Sequence, residues 1–263
     1  MPDNTVKNII IYPIKGLKGI SVDMAVGEEL GLQNDRRYML VDEQGVFVSQ
    51  REFPQMCLFE TAVSNNNLRI KFESDELEFS MTESTADYRK VSVWSSKLKA
   101  ETVSEEVDNW FSERMQKKLS LVKITDNHKR YKRLFVPPFK THVSFADGYP
   151  YLVLGTASVE HLNEKLHLPV LADRFRANIL VETEKEHEED NWQDYQIGKL
   201  RLRNIKPCAR CTVITIDQES AIKSAEPLKT LASYRKKGNK ILFGVNAVCL
   251  DEGRISVGDR LIF

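Results

Sequence analysis

Two cysteines separated by two residues, Cys208 and Cys211, are the side chains of this sequence best suited to chemistry. Thiols at that spacing bind a metal, exchange a disulfide or offer one thiolate to a larger cofactor. Structural zinc needs four ligands, and neither a second cysteine pair nor a closely spaced histidine pair accompanies these two. Thioredoxin-type exchange needs a helix start, whereas residues 212–216 predict a strand directly after Cys211. Zinc binding and disulfide exchange are therefore disfavoured.

A single thiolate ligand remains, and two neighbouring cations favour it. Lys206 and Arg210 lie within five residues of Cys211, and nearby positive charge favours thiolate over thiol. A soft thiolate suits a soft transition metal. The alternative is that both cysteines are small buried apolar residues at the start of a strand. The residues alone leave these two interpretations open.

A second candidate cluster combines basic and amide side chains at residues 173–178. We predict an extended segment, in which Arg176 and Asn178 face one ligand together and Arg174 lies on their side. A guanidinium binds phosphate with two hydrogen bonds, and an asparagine amide matches the donor and acceptor edge of a heterocycle. Alternatively, the arginines lie on the surface and pair with acidic residues such as Glu182.

Near the N-terminus, a turn and a short charged segment offer two further cations. Gly16 lets the backbone of the turn approach a ligand closely, and Lys15 supplies positive charge there. Arg36 follows Asp35 directly before a predicted strand. Its side chain either projects into a pocket or pairs with Asp35 at the surface, and the sequence does not distinguish these placements.

Several familiar catalytic signatures are missing from the sequence. It contains no Gly-x-Ser-x-Gly, no His-Glu-x-x-His, no phosphate-loop motif and no dinucleotide fingerprint. The five histidines show no spacing typical of metal ligands. Zinc hydrolases, kinases and nucleotide-dependent dehydrogenases are therefore disfavoured.

The composition is that of an ordinary globular protein with balanced charge. Of 263 residues 41% are hydrophobic, and 38 basic side chains balance 38 acidic ones, so no partner such as a nucleic acid polymer is indicated. We find neither a signal segment nor an apolar run long enough to span a membrane. The four cysteines are too few for a disulfide scaffold. We expect a cytoplasmic protein in a reducing compartment.

Short β-type runs separated by turn signals dominate the chain, which predicts a mainly β fold with a few helices, an α+β class. A capping box at Thr102 and Glu105 predicts a helix from about residue 103. A second helix is predicted from Thr156 or Ser158, and a third has Pro227 in its first turn. Predicted strands cover residues 6–12, 38–42, 46–49, 68–72, 91–94, 151–154, 178–181, 199–203, 212–216, 240–250 and 261–263.

A connector rich in basic residues and proline divides the chain. Residues 126–142 contain the basic run 128–133 and two adjacent prolines, a composition typical of an exposed loop. We place a domain boundary just before it, giving domains 1–124 and 125–263. The basic run suits a phosphate-bearing ligand or an acidic partner, but a solvated loop is the simpler interpretation.

Together these motifs resemble the MOSC family along residues 6–263. The resemblance rests on stretches 12–16, 35–36, 147–150, 174–178, 189–192, 197–198, 206–211, 226–231 and 257–259. It implies an N-terminal β-barrel domain followed by a MOSC β-barrel domain. The chain is similar to members that reduce N-hydroxylated compounds, such as the mitochondrial amidoxime-reducing component.

The resemblance also implies a site. Cys211 would ligate molybdenum of the molybdenum cofactor, and the remaining implied cofactor-binding residues are Lys15, Arg36, Thr156, Ser158, Arg176, Asn178 and Arg210. No ferredoxin-type domain is expected after residue 263, so electrons would come from an external ferredoxin-like protein or flavoprotein, for reduction of a small-molecule substrate. Gly16 replaces a serine that often contacts the cofactor, and Ala177 replaces a common proline.

Two alternative functions stay open within this resemblance. In the MOSC domain of molybdenum-cofactor sulfurases, a cysteine at the position of Cys211 would carry sulfur as a persulfide. A cofactor carrier without catalysis is the other, since the sequence identifies no acid or base. Asp190 is compatible with orienting a substrate and with capping a turn.

Overall fold

The computed structural model describes residues 4–125 and 130–263. Residues 1–3 lie outside the described residues, and so do residues 126–129 of the predicted connector, which include the first two residues of its basic run. Within the described ranges the fold is mainly β with a few helices, which confirms the predicted class. The α-helices are α1 (Glu105–Met115), α2 (Thr156–Asn163) and α3 (Leu228–Tyr234).

Most residues in regular secondary structure lie in strands. Those of the first half are β1 (Thr5–Ile11), β2 (Ile14–Lys15), β3 (Ile20–Val22), β4 (Met24–Glu28), β5 (Gly31–Leu32), β6 (Tyr38–Val41), β7 (Glu60–Ser64), β8 (Asn67–Phe72), β9 (Asp75–Ser80), β10 (Tyr88–Val93), β11 (Ser96–Thr102) and β12 (Ser120–Lys123). Those of the second half are β13 (Arg130–Arg133), β14 (Lys140–Val143), β15 (Tyr151–Gly155), β16 (Ile179–Glu182), β17 (Asp194–Ile197), β18 (Leu200–Ala209), β19 (Lys236–Lys237), β20 (Lys240–Asp251), β21 (Gly253–Ser256) and β22 (Leu261–Ile262).

One large sheet joins the two ends of the chain. Its path runs β22-β17-β18-β20-β15-β16-β1-β3, with β19 paired to β20 beside it. The first strand therefore pairs with the second half of the chain: Ile9 lies opposite Ile179 in an antiparallel ladder. Strand β4 likewise pairs with β21. The division at residue 125 stays a prediction, and these pairings show that residues 5–28 contribute to sheets with strands from beyond it.

The sheet orders among the described residues are open paths, and no barrel closes. The first half contributes a five-stranded sheet, β10-β11-β12-β6-β2, and a separate β7-β8-β9 meander. In β8 the side chains alternate, with Leu68 and Ile70 buried and Arg69 and Lys71 exposed. That period of two is why this segment forms a strand with one face on the core.

Helix α1 begins two residues later than its capping signal predicted. Ser104, not Thr102, caps it, and the Ser104 side chain accepts a hydrogen bond from the backbone of Val107. Thr102 belongs to β11, where it pairs with Val122. Thr102 and Ser104 both have side chains able to cap the helix, but Thr102 is paired within the sheet, which leaves Ser104 as the cap. The buried side of α1 consists of Val107, Trp110, Phe111 and Met115.

The strand predicted at residues 212–216 is wrong. Thr212–Thr215 form a 3-10 helix in which Thr215 Oγ1 donates to the carbonyl of Thr212 at 2.8 Å. Ile214 is fully buried in a core formed by α2, α3 and β20. The β-branched residues of this run favour strand, but here they turn inward after β18 ends.

No helix in residues 4–125 or 130–263 combines the length and apolar character needed to cross a bilayer.

Candidate functional site

Cys211 lies where the chain leaves the large sheet. Strand β18 carries Cys208 and pairs with β20, with a shift of register between Pro207 and Ala209. Proline lacks the N–H that a ladder requires, so an irregularity is expected at residue 207. Cys211 follows two residues after the strand, directly before the 3-10 helix, and is exposed.

The two thiols differ in their surroundings. Arg210 Nη1 donates to Cys208 Sγ at 3.1 Å, and Arg210 Nη2 donates to the carbonyl of Phe175 at 2.7 Å. Cys208 is half-buried, and both cysteines are free thiols. Within the described part of the chain, no hydrogen bond engages the sulfur of Cys211. Cys211 is therefore not a buried apolar cysteine, and its thiol is open to a ligand.

A cavity of about 460 Å³ lies beside Cys211 and is lined by both halves of the chain. Among the described residues, eight basic side chains line it against one carboxylate, although the whole chain carries 38 of each sign. Concentrated positive charge in a cleft attracts an anionic ligand. The charged lining residues are Lys15, Arg36, Arg51, Arg130, Lys132, Arg176, Lys206, Arg210 and Asp147.

Three of these side chains, Lys15, Arg36 and Arg176, are called the inner cations below. Lys15 is only 8% exposed, and its Nζ donates to the carbonyl of Phe145 at 2.9 Å and to the carboxylate of Asp147. Burial lowers the pKa of Lys15, and Asp147 partly offsets this effect. The ammonium is thus fixed at the cavity wall by two acceptors.

Asp147 is the carboxylate that balances this wall. Burial alone would raise the pKa of Asp147, but the charge and hydrogen bond of Lys15, a hydrogen bond from Trp94 and the charge of Arg36 lower it overall. Trp94 Nε1 donates to Asp147 Oδ1 at 3.0 Å. Asp147 is therefore ionised at neutral pH and holds Lys15 and Trp94 as an acceptor.

Arg36 both enters the cavity and pairs with Asp35, so the two placements left open by the sequence coexist. Its Nη1 donates to Asp35 Oδ2 at 2.6 Å and to Asn178 Oδ1 at 3.1 Å, and its Nη2 donates to the carbonyl of Arg176 at 3.0 Å. Asp35 is completely buried and also accepts from the backbone of Tyr12. Arg36 is thus held in one orientation.

Residues 173–178 do not form the extended segment predicted from sequence. Ala172–Phe175 form a 3-10 helix, and Arg176 adopts a left-handed backbone with φ of 53°. This turn separates the two arginines: Arg174 pairs with Asp217 at 2.5 Å, whereas Arg176 lines the cavity. Arg176 Nη2 donates to the carbonyl of Leu17 at 2.8 Å.

The aromatic ring of Tyr12 contacts the guanidinium groups of both inner arginines, Arg36 and Arg176. The guanidinium of Arg36 lies 4.5 Å from the centre of its ring and that of Arg176 lies 4.2 Å from it. Burial raises the pKa of Tyr12 to about 12, and the two arginines act against this rise. The ring thus stays a neutral surface on which both cations rest.

Asn178 is almost fully buried, and both its amide oxygen and its amide nitrogen form hydrogen bonds to the protein. Its Oδ1 accepts from Arg36 and from the backbone of Leu152, and its Nδ2 donates to the carbonyl of Ile10 at 3.2 Å. Asn178 lines the cavity, but its hydrogen-bonding groups are used to position Arg36 and to join β1 to the sheet.

Gly16 occupies a position that no other residue fits easily. Its φ is 91°, and a Cβ added there would lie 2.7 Å from Cε of Met56. A left-handed backbone and this close approach both favour glycine. The absence of a serine side chain at this position is therefore a consequence of the local backbone.

The structure does not bring Thr156 and Ser158 to the cavity. Ser158 is fully buried at the start of α2, and its hydroxyl donates to the carboxylate of Glu189 at 2.8 Å. Thr156 Oγ1 accepts from the backbone of Thr183 at 3.2 Å. Both side chains fasten α2 to neighbouring loops, so the helix start is closed to a ligand.

Asp190, which the sequence left undecided, also lies away from the cavity lining. Its carboxylate pairs with Arg235.

Several lining side chains were missed as site residues, and Arg51, Trp94, Arg130 and Lys132 are among them. The basic run at 128–133 carried a signal for the last two, but its composition is also typical of a solvated loop. The structure shows that Arg130 and Lys132, two residues apart on β13, both line the cavity. Alternation along a strand places them on one side.

Sequence comparisons match both halves of the chain. The MOSC N-terminal beta barrel domain matches residues 3–118, and the MOSC domain matches residues 140–262. Molybdenum cofactor sulfurase of Oryza sativa subsp. japonica is 32% identical over 265 residues, which cover 92% of this chain and 32% of that protein. This chain thus spans about a third of the rice enzyme's length.

Two shorter relatives match along most of their length. Mitochondrial amidoxime-reducing component 1 of Homo sapiens is 29% identical over 276 residues, and that of Mus musculus is 30% identical over 274 residues. Each alignment covers 97% of this chain and 81% of the relative. These matches, together with the two domain matches, show that the chain belongs to the MOSC family.

Proposed function

We propose that this protein is a molybdenum-cofactor-dependent oxidoreductase that reduces N-hydroxylated compounds, with Cys211 as the protein ligand of molybdenum. The observation that carries the proposal is an exposed thiol beside a cavity with eight cations and one carboxylate. The names of the human and mouse relatives, amidoxime-reducing components, support the reaction class.

The residues present fit a phosphorylated pterin. A phosphate needs fixed cations, and the inner cations are each held by hydrogen bonds to the protein. The aromatic side chains of the lining, Phe47, Trp94, Tyr131, Tyr149 and Phe175, offer flat surfaces to a heterocycle. When bound, the cofactor supplies a redox-active metal that accepts and gives electrons. Lys15, Arg36, Arg176 and Arg210 would hold its anionic parts, and Asn178 contributes by positioning Arg36.

The reaction consumes two electrons and two protons for each molecule of substrate. The N–O bond of the N-hydroxylated compound breaks, its nitrogen gains one proton, and the hydroxyl group takes the other proton and leaves as water. The electrons come from an external donor, either a ferredoxin-like protein or a flavoprotein. Asp147 does not supply the protons, because its lowered pKa keeps it ionised at neutral pH.

An anaerobic assay with a reduced viologen dye tests this function without the natural donor. Wild-type protein from cells that make the cofactor should oxidise the dye in the presence of benzamidoxime and release benzamidine. Cys211→Ser should lose at least about 100-fold of the rate, as expected when a metal ligand is removed. Cys208→Ser is the matched control and should have a smaller effect. Equal rates in the wild type and the Cys211 variant would exclude Cys211 as the ligand.

The rice relative favours a second candidate, transfer of sulfur with Cys211 as a persulfide. Mass spectrometry of the protein after incubation with a cysteine desulfurase and cysteine distinguishes the two functions. Addition of one sulfur atom to Cys211, together with no turnover of benzamidoxime, would support sulfur transfer.

A further inference from the structure

A second group of cations lines the same cavity and differs from the inner cations. Arg130 and Lys132 lie on β13, and Lys206 lies on β18; we call these three side chains the outer basic cluster. Arg130 is only 8% exposed, Lys132 is half-buried and Lys206 is exposed. All three line the cavity. The cluster therefore extends from the cavity wall to solvent.

The aromatic ring of Tyr149 brings the two lysines together. The ammonium of Lys132 lies 5.3 Å from the ring centre and that of Lys206 lies 5.2 Å from it. Cation–π attraction holds each ammonium there. Within the described residues, neither lysine forms an ion pair with a carboxylate. Burial, then the charges of Lys206 and Arg130, lower the pKa of Lys132.

Arg130 has a buried hydrogen-bond donor without a partner. Its Nη2 donates to the carbonyls of Ala146 at 2.8 Å and Asp147 at 3.2 Å, but among the residues that the structure describes its Nη1 has no acceptor. A buried donor without an acceptor costs free energy, and a charged one costs more.

These observations identify the chemistry of a suitable ligand. Three like charges that line one cavity favour an anion, and both carboxylate and phosphate accept hydrogen bonds from guanidinium and ammonium groups. A surface of a protein partner would not reach Arg130, because this side chain is buried. The anion must therefore belong to a small molecule that enters the cavity.

We propose that Arg130, Lys132 and Lys206 form a second anion-binding subsite, which binds a carboxylate or phosphate carried by the substrate while the N-hydroxylated end reaches Cys211. The inference rests on the proposed function for the identity of that reactive end. Cys211 is the fifth residue after Lys206, so their Cα atoms lie no more than about 18 Å apart. A small substrate and the lysine side chain together span such a distance.

Binding of a matched pair of compounds to the protein with its cofactor tests the subsite. Benzamidoxime and 4-carboxybenzamidoxime differ only in the carboxylate, and calorimetry gives their dissociation constants without turnover. We expect the wild type to bind the carboxylate compound about fivefold to tenfold more tightly. Lys132→Gln and Lys206→Gln should each reduce that preference by about threefold.

Arg133→Gln is the matched control, because Arg133 neighbours Lys132 on β13 but does not line the cavity. This variant should retain the preference. A third compound with a phosphate ester at the same position distinguishes the two anions, and tighter binding of either one supports the subsite. Equal binding of charged and neutral compounds by the wild type, or a preference that persists in both lysine variants, would refute it.

Two further readouts separate the possible failures. The molybdenum and pterin contents of the lysine variants should equal those of the wild type, and a loss of cofactor would assign the cluster to the cofactor phosphate instead. Turnover of the neutral compound tests the proposed function alone. A binding preference without turnover of either compound would leave the subsite standing and reject the reductase.

Discussion

The inner cations and the outer basic cluster line the same cavity, but their charges are balanced differently. Arg36 pairs with a completely buried carboxylate, and Lys15 binds Asp147 and a carbonyl. In the outer basic cluster, Lys132 and Lys206 share one aromatic ring, and Arg130 has an unpartnered donor. The inner cations are thus part of the folded framework, whereas the outer ones are available to a ligand.

This difference explains how one cavity can position two charged groups. Cations that the protein already fixes lose little conformational entropy when they bind a group that always takes the same orientation. Binding of an anion relieves the electrostatic repulsion between neighbouring cations. The long side chains of surface lysines can also adapt to the position of the anion. The inner cations therefore suit a resident cofactor, and the outer basic cluster suits an exchanging substrate.

Removal of Arg36 should give the largest effect and tests whether the inner cations are structural. In Arg36→Leu, the completely buried carboxyl group of Asp35 would lose its guanidinium partner. Loss of one member of a buried ion pair costs about 3–5 kcal/mol of unfolding free energy. Urea denaturation measures this cost. Lys132→Leu is the outer counterpart and should change the unfolding free energy by no more than about 0.5 kcal/mol. Equal losses of unfolding free energy in the two variants would contradict the proposed difference between the inner cations and the outer basic cluster.

A pH series on Asp147→Asn should give an intermediate effect. The ordinary pKa is 3.8, and the folded-state pKa of Asp147 is lower. The ionised carboxylate therefore contributes stability above about pH 4 that is lost as the pH falls through the lower folded-state value. Because Asp147 is exposed to the cavity, we expect the variant to lose at most about 1 kcal/mol at pH 7. That difference should shrink below pH 3.8 in urea denaturation, and a constant difference would contradict the pairing with Lys15.

The smallest effect is expected from the outer cations in the absence of a ligand. Lys132→Gln removes repulsion from Lys206 and Arg130, so it should stabilise the protein by about 0.2–0.5 kcal/mol at low salt. Because salt screens such charges, the gain should disappear at high ionic strength. Thermal denaturation at two salt concentrations measures it. A loss of stability at low salt would mean that Lys132 has a carboxylate partner in solution.

Local sequence signals predicted most of the fold. Helices α2 and α3 lie where apolar spacing and Pro227 placed them, because those signals act within one turn of the chain. Cys211, Lys15 and Arg36 line the cavity, and the cofactor-binding roles that the resemblance implied for them stay predictions. In these cases the local pattern and the tertiary environment favour the same structure.

The features of the fold and of the cavity that the sequence did not predict depend on contacts between residues distant in the chain. The left-handed turn at Arg176 and the 3-10 helix after Cys211 follow from packing that residues 173–178 and 212–216 do not encode by themselves. Arg130 became a cavity residue because β13 pairs with β14 and faces the loop at Ala146. Composition assigned that run to solvent, since it does not specify which side of a strand is covered.

Molybdenum content, measured by elemental mass spectrometry together with released pterin, tests the central claim most directly. The wild type, Cys211→Ser and Cys208→Ser should be purified from cells that make the cofactor and shown to be folded by circular dichroism. We predict near-stoichiometric molybdenum and pterin in the wild type, a marked loss of molybdenum in Cys211→Ser and a smaller change in Cys208→Ser. A folded wild type without molybdenum and pterin, or a Cys211 variant that retains the full metal content, would contradict the account.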